Sequence, residues 1–411
     1  MGELVVAVDI GTSKISAVCG QIGKTGAVEA LAKASVPCTG MKKGLIVDID
    51  SVSRSISEAL RKVENDAGAK IGSAYINVMG LHVEVITNRA STAVTVDSRE
   101  ISKNDVDKLL FNVRNVEIAM DTQIIDVIPR QFIIDGYSGI TEPIGMIGST
   151  IELEADIVTG KITSITNIIK CIEGAGIKID GLVLSGLALG EAILSPEEMD
   201  LGVIMIDVGG SVTDITVFKN GHLYYYDSIP VGGDHISNDI SIGMKIPYAE
   251  ADKLKKEYGL ALPLLIDKDM EVYLNDINDN VRKRVYVSEI IEIIEARVYE
   301  IMTICFDLLN SNRIEFDISA GVVLTGGGVA YLDGCKQLAN EVFRLPVKVI
   351  PERNLKNQKT DSLLAEGIIK QVVKMGKGAR YGSDIQLTKK REPGSSMNIF
   401  GKIAEMLKRI F

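Results

Sequence analysis

Alternating strand and helix patterns along the chain predict an α/β protein. Short apolar runs at residues 4–10, 16–22 and 74–79 have the length of buried strands. Residues 49–67 instead repeat apolar positions at helical spacing. One face of this predicted helix is apolar, at Val52, Ile56, Leu60 and Val63.

The pattern of predicted elements changes between residues 82 and 159, where short β-rich runs surround one predicted helix at residues 104–119. We expect this stretch to form an inserted subdomain with its own small core. The alternating pattern then resumes, with a predicted helix at residues 162–174 and a predicted strand at residues 179–184. Later elements are predicted at residues 203–218, 247–258, 288–309 and 322–324.

Two strand–turn–strand units have similar sequences. Residues 9–12 read Asp-Ile-Gly-Thr and residues 207–210 read Asp-Val-Gly-Gly, and each stretch lies between two apolar strands. Repetition of such a unit indicates a duplicated architecture. The expected fold is therefore two related α/β domains that face each other across a cleft.

A strand that ends in Asp, followed by glycine and hydroxyl residues, suits a metal-bound phosphate. The Asp can hold Mg²⁺ through water, because this ion keeps much of its hydration shell. Glycine lets backbone N–H groups approach phosphate oxygens. A single such turn is more often an ordinary hairpin. The second copy, together with the Gly326-Gly327-Gly328 run after a later strand, favours a nucleotide site.

These turns resemble those of the superfamily of actin, heat-shock chaperones and sugar kinases. Residues 9–14 resemble its first phosphate loop, residues 207–214 its second, and residues 325–329 its adenosine loop. The resemblance implies ATP and Mg²⁺ as cofactors, with Asp9 and Asp207 positioning the metal. The other nucleotide-binding residues that it implies are Gly11, Thr12, Ser13, Lys14, Gly209, Gly210, Thr213, Gly232, Gly233, Asp252, Lys255, Gly326, Gly327 and Gly328.

Within this superfamily, nearly the whole chain resembles the FtsA family of bacterial cell-division proteins. The motifs that carry the resemblance are residues 44–50, 128–136, 139–145 and 153–160. It implies an actin-like duplicated ATPase fold with an FtsA-type inserted subdomain and a C-terminal amphipathic helix. The implied bounds are subdomain 1A at 1–81 and 161–198, inserted subdomain 1C at 82–160, subdomain 2A at 199–228, subdomain 2B at 229–310, a return through 2A to 1A at 311–380, a flexible linker at 381–397 and the helix at 398–411.

The chain departs from the superfamily pattern in two places, the second phosphate loop and position 252. Ser211 and Val212 stand where a glycine and a threonine are typical, and Asp252 is shorter than the expected Glu. We expect ATP binding to survive these changes. No catalytic base is assigned, so ATP hydrolysis stays open. Asp252 and Lys255, three residues apart on a predicted helix, are also typical of a solvent-facing ion pair.

Charge is unevenly distributed along the chain. The net charge of −10 argues against a general nucleic-acid-binding protein. Residues 370–411, however, contain ten Lys or Arg and three Asp or Glu, a net +7 that leaves −17 on the rest. A basic tail on an acidic body indicates an anionic surface as the partner of the tail.

The last residues have the pattern of an amphipathic helix. Its apolar stripe consists of Ile399, Phe400, Ile403, Met406, Leu407, Ile410 and Phe411, and its cations are Lys402, Lys408 and Arg409. Such a helix suits the headgroup region of an anionic leaflet. A helix docked on the protein's own core, or one strand of a coiled coil, is the alternative. No secretory signal or membrane-spanning run is recognised, so we expect a peripheral protein on the cytoplasmic side of the cell membrane.

The resemblance also implies protein partners at the division septum. It places the C-terminal peptide of FtsZ on subdomain 2B, where the candidate residues are Arg282, Lys283, Arg284 and Arg297. A basic triplet is equally typical of a solvated surface. Self-assembly into actin-like filaments and recruitment of later division proteins are implied as well. The alternatives from other classes are a sugar kinase, a chaperone and a pilus-assembly protein of the same superfamily.

Overall fold

A computed structural model describes residues 3–23, 27–94, 98–275, 282–314, 318–350, 353–354, 358–359 and 362–376. Its strands are Glu3–Ile10 (β1), Lys14–Ile22 (β2), Val28–Pro37 (β3), Met41–Lys42 (β4), Leu45–Ile46 (β5), Ser73–Val78 (β6), Val83–Ala93 (β7), Thr122–Ile134 (β8), Tyr137–Ile140 (β9), Thr150–Lys161 (β10), Lys178–Leu184 (β11), Val203–Val208 (β12), Thr213–Lys219 (β13), His222–Ile229 (β14), Glu271–Asn275 (β15), Arg282–Tyr286 (β16), Val322–Thr325 (β17), Val347–Val349 (β18), Arg353–Asn354 (β19) and Gln358–Lys359 (β20). Its α-helices are Ile49–Ala67 (α1), Lys103–Asn112 (α2), Ile162–Gly174 (α3), Ser185–Ile193 (α4), Pro196–Leu201 (α5), Gly233–Met244 (α6), Tyr248–Tyr258 (α7), Val287–Ser311 (α8), Cys335–Phe343 (α9) and Leu363–Gly376 (α10).

Two five-stranded sheets of the same topology form the two halves of the molecule. The first has the order β11-β6-β1-β2-β3 and the second the order β14-β13-β12-β17-β18. In each, three consecutive strands form an antiparallel meander, and two later strands add in parallel on the other side. The duplication predicted from the two similar turns is therefore present in the sheet topology.

Helices cover these sheets with apolar faces. Helix α1 begins at the N-cap Asp48, whose side chain accepts a hydrogen bond from the Ser51 N–H at 3.1 Å, and ends at Gly68 in the left-handed conformation. Its buried face includes the four apolar positions predicted from the spacing. Helices α6 and α8 bury their apolar faces in the core of the second half.

The inserted subdomain has its own sheet and core. Its antiparallel sheet has the order β7-β10-β8-β9. Helix α2 packs on one face of the sheet and contributes Val106, Leu109 and Leu110 to a separate buried cluster. This arrangement agrees with the separate small core that was predicted from the β-rich sequence pattern of residues 82–159.

The helix predicted at residues 104–119 is shorter in the structure, because α2 ends at Asn112. The Arg114 N–H donates a hydrogen bond to the Phe111 carbonyl oxygen, and the Val113 carbonyl oxygen accepts one from the Asn88 side chain at 2.8 Å. A partner on the neighbouring strand thus terminates the helix, and sequence spacing alone does not reveal such a partner.

Helix α4 packs between the two halves through residues without large side chains. A Cβ atom at Gly186 would lie 2.3 Å from the Thr216 hydroxyl oxygen on β13, and one at Gly190 would lie 2.6 Å from the Phe218 ring. On its other side, the Ala188 carbonyl oxygen would lie 1.9 Å from a Cβ at Gly367 of α10. The glycines therefore let one helix contact both the second sheet and α10 at short range.

Candidate nucleotide-binding site

The first phosphate loop is a tight turn between β1 and β2. The Gly11 N–H donates to the Lys14 carbonyl oxygen at 3.0 Å, and a Cβ at Gly11 would lie 2.9 Å from that oxygen. Asp9 precedes the turn near the end of β1 and is buried, with 8% of its surface exposed. Thr12 and Lys14 are partly exposed. The backbone of this turn therefore faces the space between the two halves with a carboxylate beside it.

The second phosphate loop repeats this geometry in the other half. The Gly209 N–H donates to the Val212 carbonyl oxygen at 3.0 Å, and a Cβ at Gly209 would again lie 3.0 Å from that oxygen. Asp207 occupies in β12 the place that Asp9 occupies in β1. The same backbone hydrogen bond thus closes both loops, one in each half.

Glycines let the loops around the cleft pack directly on one another. A Cβ at Gly232 would lie 2.6 Å from the carbonyl oxygens of Gly209 and Gly210, and one at Gly328 would lie 2.5 Å from the Gly209 oxygen. Across the cleft, a Cβ at Gly210 would lie 2.3 Å from the Ser13 hydroxyl oxygen. Side chains at these positions would push the loops apart.

These loops enclose a cavity of about 580 Å³ between the two halves. This volume is within the usual range for small-molecule sites. The sequence-predicted residues that line the cavity are Asp9, Gly11, Thr12, Ser13, Lys14, Asp207, Gly209, Gly210, Gly233, Asp252, Lys255, Gly326, Gly327 and Gly328. The structure therefore brings together most of the residues that the sequence singled out.

Two predicted residues lie behind the cavity wall instead of lining it. Thr213 is fully buried, and its hydroxyl donates to the Val231 carbonyl oxygen at 2.7 Å. Gly232 packs against the second phosphate loop, and its N–H donates to the His235 Nδ1 at 3.1 Å. Both residues support the shape of the second loop from behind.

Lys255 is a buried part of the cavity wall, with 3% of its side chain exposed. Its Nζ donates to the Gly233 carbonyl oxygen at 2.7 Å and lies 3.4 Å from Asp252 Oδ1. Burial lowers the pKa of this ammonium group, whereas the Asp252 charge opposes the shift. Burial opposes ionisation of Asp252, but its hydrogen bond from Lys256 holds its pKa below the usual value. Asp252 and Lys255 therefore do not form a solvent-facing ion pair, which was the alternative interpretation of their spacing.

Asp214 also lines the cavity but was not selected from the sequence. Its carboxylate accepts hydrogen bonds from the hydroxyls of Ser228 and Tyr226, and burial raises its pKa. The Tyr226 hydroxyl also accepts the Gly80 N–H from the first half at 3.1 Å. This chain of contacts joins the two halves behind the phosphate loops.

Asp234 is another cavity residue that the sequence did not single out as a ligand. Its carboxylate accepts the Ser211 hydroxyl at 2.8 Å and the Tyr248 hydroxyl at 3.2 Å. The departure from glycine at position 211 thus supplies a hydrogen bond between the second phosphate loop and α6. The remaining wall of the cavity includes Ser35, Val36, Pro37, Met79, Leu189, Val212, Lys256, Thr325, Tyr331, Leu363 and Leu364.

The donor set at the strand ends fits magnesium. Asp9 and Asp207 supply carboxylate oxygens from opposite sides of the same cavity, and Mg²⁺ in phosphate sites typically takes one or two carboxylates, with water and phosphate oxygens completing the shell. Across the part of the chain that the structure describes, no group of three or more His, Cys, Asp and Glu side chains forms a cluster able to hold a metal by itself. A metal here would therefore be shared with a phosphate ligand.

The candidate partner residues lie on the surface of the second half. Arg282, Lys283 and Arg284 are exposed on the edge of the β15–β16 ribbon, and Arg284 is 3.2 Å from Glu271. Arg297 lies on α8 and contacts Asp239 and Glu300, each at 2.5 Å. The guanidinium of Arg297 is thus already paired with two carboxylates.

The predicted membrane helix, including Ile399, Phe400, Lys402 and Arg409, lies outside the described residues. Within the described ranges, no helix has the length and apolar character needed to cross a bilayer.

Comparison with known proteins matches both halves and the insertion. A family model described as cell division protein FtsA matches residues 204–367. A model described as the SHS2 domain inserted in FtsA matches residues 80–159, in agreement with the predicted inserted subdomain. FtsA of Bacillus subtilis is 38% identical over 347 residues, covering 84% of this chain and 78% of that protein. FtsA of Pseudomonas aeruginosa is 31% identical over 348 residues, covering 85% and 83%.

Solved structures share the fold at low sequence identity. The PilM–PilN type IV pilus biogenesis complex superposes with a TM-score of 0.62 at 15% identity, over 90% of this chain and 98% of that chain. MreB5 of Spiroplasma citri bound to ADP has a TM-score of 0.54 at 15% identity, over 92% and 99%. The MamK double helical filament has a TM-score of 0.52 at 10% identity, over 92% and 99%. The fold is therefore actin-like, and with its inserted subdomain and its identity to the relatives above, the chain belongs to the FtsA family of cell division proteins.

Proposed function

We propose that this cell-division protein binds ATP with Mg²⁺ between its two halves, assembles into filaments, and tethers the FtsZ ring to the membrane through its C-terminal helix. The observation that carries the proposal is the cleft, where two glycine turns closed by the same hydrogen bond face each other beside two carboxylates. The MreB5 relative of the same fold is described with bound ADP, which supports a nucleotide here.

In this proposal each half of the protein binds one side of the triphosphate. Backbone N–H groups of both turns point at phosphate oxygens, and Lys14 supplies a compact positive charge for the terminal phosphate. Asp9 and Asp207 would hold the magnesium ion through water, and the ion would neutralise phosphate charge. Gly326–Gly328 and the Lys255 side of the cavity would face the nucleoside. Binding then favours approach of the two halves, because the ligand contacts both.

Filament formation would convert weak membrane binding into firm attachment. Burying a large apolar side chain contributes ~1.5–3 kcal/mol, and a Lys or Arg near anionic lipid about 1 kcal/mol. Partial burial of the short apolar stripe of residues 399–411, less the cost of ordering it, gives a reversible anchor. Linked copies in a filament gain avidity. The MamK relative is described as a double helical filament, which supports self-assembly for this fold.

We further propose that the second half binds the FtsZ C-terminal peptide, through the basic strand β16 and the α8 surface at Arg297. Later division proteins would bind the assembled filament. This adaptor role would place the protein on the cytoplasmic side of the membrane at the septum.

Nucleotide binding is tested by a matched pair of glycine variants. A Cβ at Gly328 would lie 2.5 Å from the Gly209 carbonyl oxygen, whereas Gly72 is exposed and a Cβ there would meet nothing within 4 Å. We expect calorimetry to show one ATP site per chain in the presence of Mg²⁺, at least about tenfold weaker in Gly328→Ala, a loss of about 1.4 kcal/mol. Gly72→Ala should bind like the wild type. A wild-type chain that fails to bind ATP would overturn the proposal.

A further inference from the structure

Asn77 lies at the end of β6 and touches the candidate magnesium ligand Asp9. Its side chain is buried, with 2% exposed, and its Nδ2 donates to Asp9 Oδ1 at 2.9 Å. It lies behind the cavity rather than in its wall, since it is absent from the cavity lining. Asn77 was not singled out from the sequence, because a single Asn in an apolar strand has no recognisable pattern.

The neighbouring hydrogen bonds fix the orientation of the Asn77 amide. The Ile10 N–H donates to Asn77 Oδ1 at 2.7 Å. The amide oxygen therefore faces the backbone of β1, and the NH₂ group faces the Asp9 carboxylate. The Ser185 hydroxyl donates to the Val78 carbonyl oxygen at 3.1 Å, and its oxygen lies 3.4 Å from Asn77 Nδ2 as an acceptor. Both amide hydrogens and the amide oxygen therefore have defined partners.

This network joins the first phosphate loop to two elements behind it. Asn77 is on β6, Asp9 and Ile10 are at the end of β1, and Ser185 is the first residue of α4. Because Asn77 contacts both a backbone N–H and a side chain of the β1 end, it restrains the direction of the Asp9 carboxylate as well as the position of the strand.

We infer that Asn77 is a positioning residue that holds the Asp9 carboxylate in the orientation needed for magnesium-dependent nucleotide binding. The inference rests on the proposed nucleotide function. Asn77 occupies one oxygen of Asp9 and keeps the side chain in one rotamer, so the carboxylate enters the magnesium shell without a further ordering cost. Its effect should therefore appear in the gain of ATP affinity that Mg²⁺ produces, and not in magnesium-free nucleotide binding.

The test is a calorimetric titration of the full chain with ATP, in Mg²⁺ and in EDTA. For the wild type we expect Mg²⁺ to tighten binding. In Asn77→Ala and in the apolar, similarly sized Asn77→Leu, this magnesium-dependent gain should fall about tenfold, while affinity in EDTA stays within about twofold of the wild type. Ile76→Val, at a fully buried position of the same strand that faces the core, is the control for general destabilisation and should keep the full gain.

Three results would contradict parts of this account, and they are distinguishable. If the wild type binds ATP equally with and without Mg²⁺, the proposed magnesium-dependent site is wrong. If the wild type gains affinity with Mg²⁺ and folded Asn77 variants gain as much, the positioning role is wrong. If the Asn77 variants lose affinity equally in Mg²⁺ and EDTA, Asn77 shapes the cleft generally, and the inference is again overturned. Thermal unfolding of each variant establishes that the titrated protein is folded.

Discussion

Several ionisable side chains of this protein are buried where their surroundings shift their pKa values in a defined direction. Lys255 and Asp214 lie in the wall of the cleft, and burial opposes the charged form of both. Asp126 lies outside the cleft, on β8 of the inserted subdomain. Burial raises the pKa of its carboxyl to about 7, although the Val127 N–H and the Arg114 charge oppose the shift.

The raised pKa of Asp126 predicts a pH-dependent stability. The folded protein keeps a proton on this carboxyl up to about pH 7, whereas an unfolded Asp releases it near pH 4. The free energy of unfolding should therefore decrease as pH rises through this window. Asp126→Asn removes the titration. Relative to the wild type, this variant should gain on the order of 2 kcal/mol in chemical denaturation between pH 5 and pH 8.

Asp121, an exposed carboxylate of the inserted subdomain, provides the control through Asp121→Asn. A stability difference between Asp126→Asn and the wild type that is the same at pH 5 and pH 8 would contradict the assignment.

Sequence spacing predicted most residues of the site but not their surroundings. It identified Asp252 and Lys255, but not the hydrogen bond that Lys255 donates to the Gly233 carbonyl oxygen on another helix. It assigned no ligand role to Asp234, which contacts Ser211, and it missed Asn77, whose role comes from its contact with Asp9. Thr213 belongs to the motif but faces the Val231 carbonyl. A sequence motif indicates which residues lie near a ligand, but tertiary packing determines which of their side chains contact it.

Among the elements, long amphipathic helices were predicted well. Helices α1 and α3 have the predicted bounds of residues 49–67 and 162–174. Helix α4 was missed, because six of its nine residues are buried and it has no polar face to give a periodic signal. Helix α6 was missed too, since it begins with the glycine turn beside the second phosphate loop. The contacts of α4 with the second sheet and with α10 are a tertiary feature that local periodicity does not reveal.

The β15–β16 ribbon predicts an electrostatic contribution to partner binding. We expect the triple replacement of Arg282, Lys283 and Arg284 by Ala to weaken binding of the FtsZ C-terminal peptide about tenfold, because each exposed ion pair contributes ~0.2–1 kcal/mol. Fluorescence anisotropy of the labelled peptide measures the change, and added salt should reduce the difference. Lys62→Ala removes an exposed cation from α1 on the other half and should have no effect. Equal peptide affinity for the triple variant and the wild type would rule out this surface.

At the scale of the molecule, the duplicated halves and the inserted subdomain form one connected structure. The Arg130 guanidinium joins them: it lies 2.8 Å from the buried Asp156 within the inserted sheet and donates to the Leu223 carbonyl oxygen on β14 at 2.5 Å. Arg130 and Asp156 belong to two of the sequence motifs that resemble the FtsA family. These motifs therefore fix the inserted subdomain against the second half.

We propose that ATP in the cleft controls attachment of this protein to anionic membrane through residues 398–411. The most direct measurement is co-sedimentation with anionic vesicles, with and without ATP and Mg²⁺, of the full chain and of a chain ending at Pro393. We expect the full chain to pellet with vesicles and to do so more strongly with ATP, whereas the shortened chain stays in the supernatant. Equal sedimentation of the two chains, or sedimentation of the full chain that ATP does not change, would contradict the account.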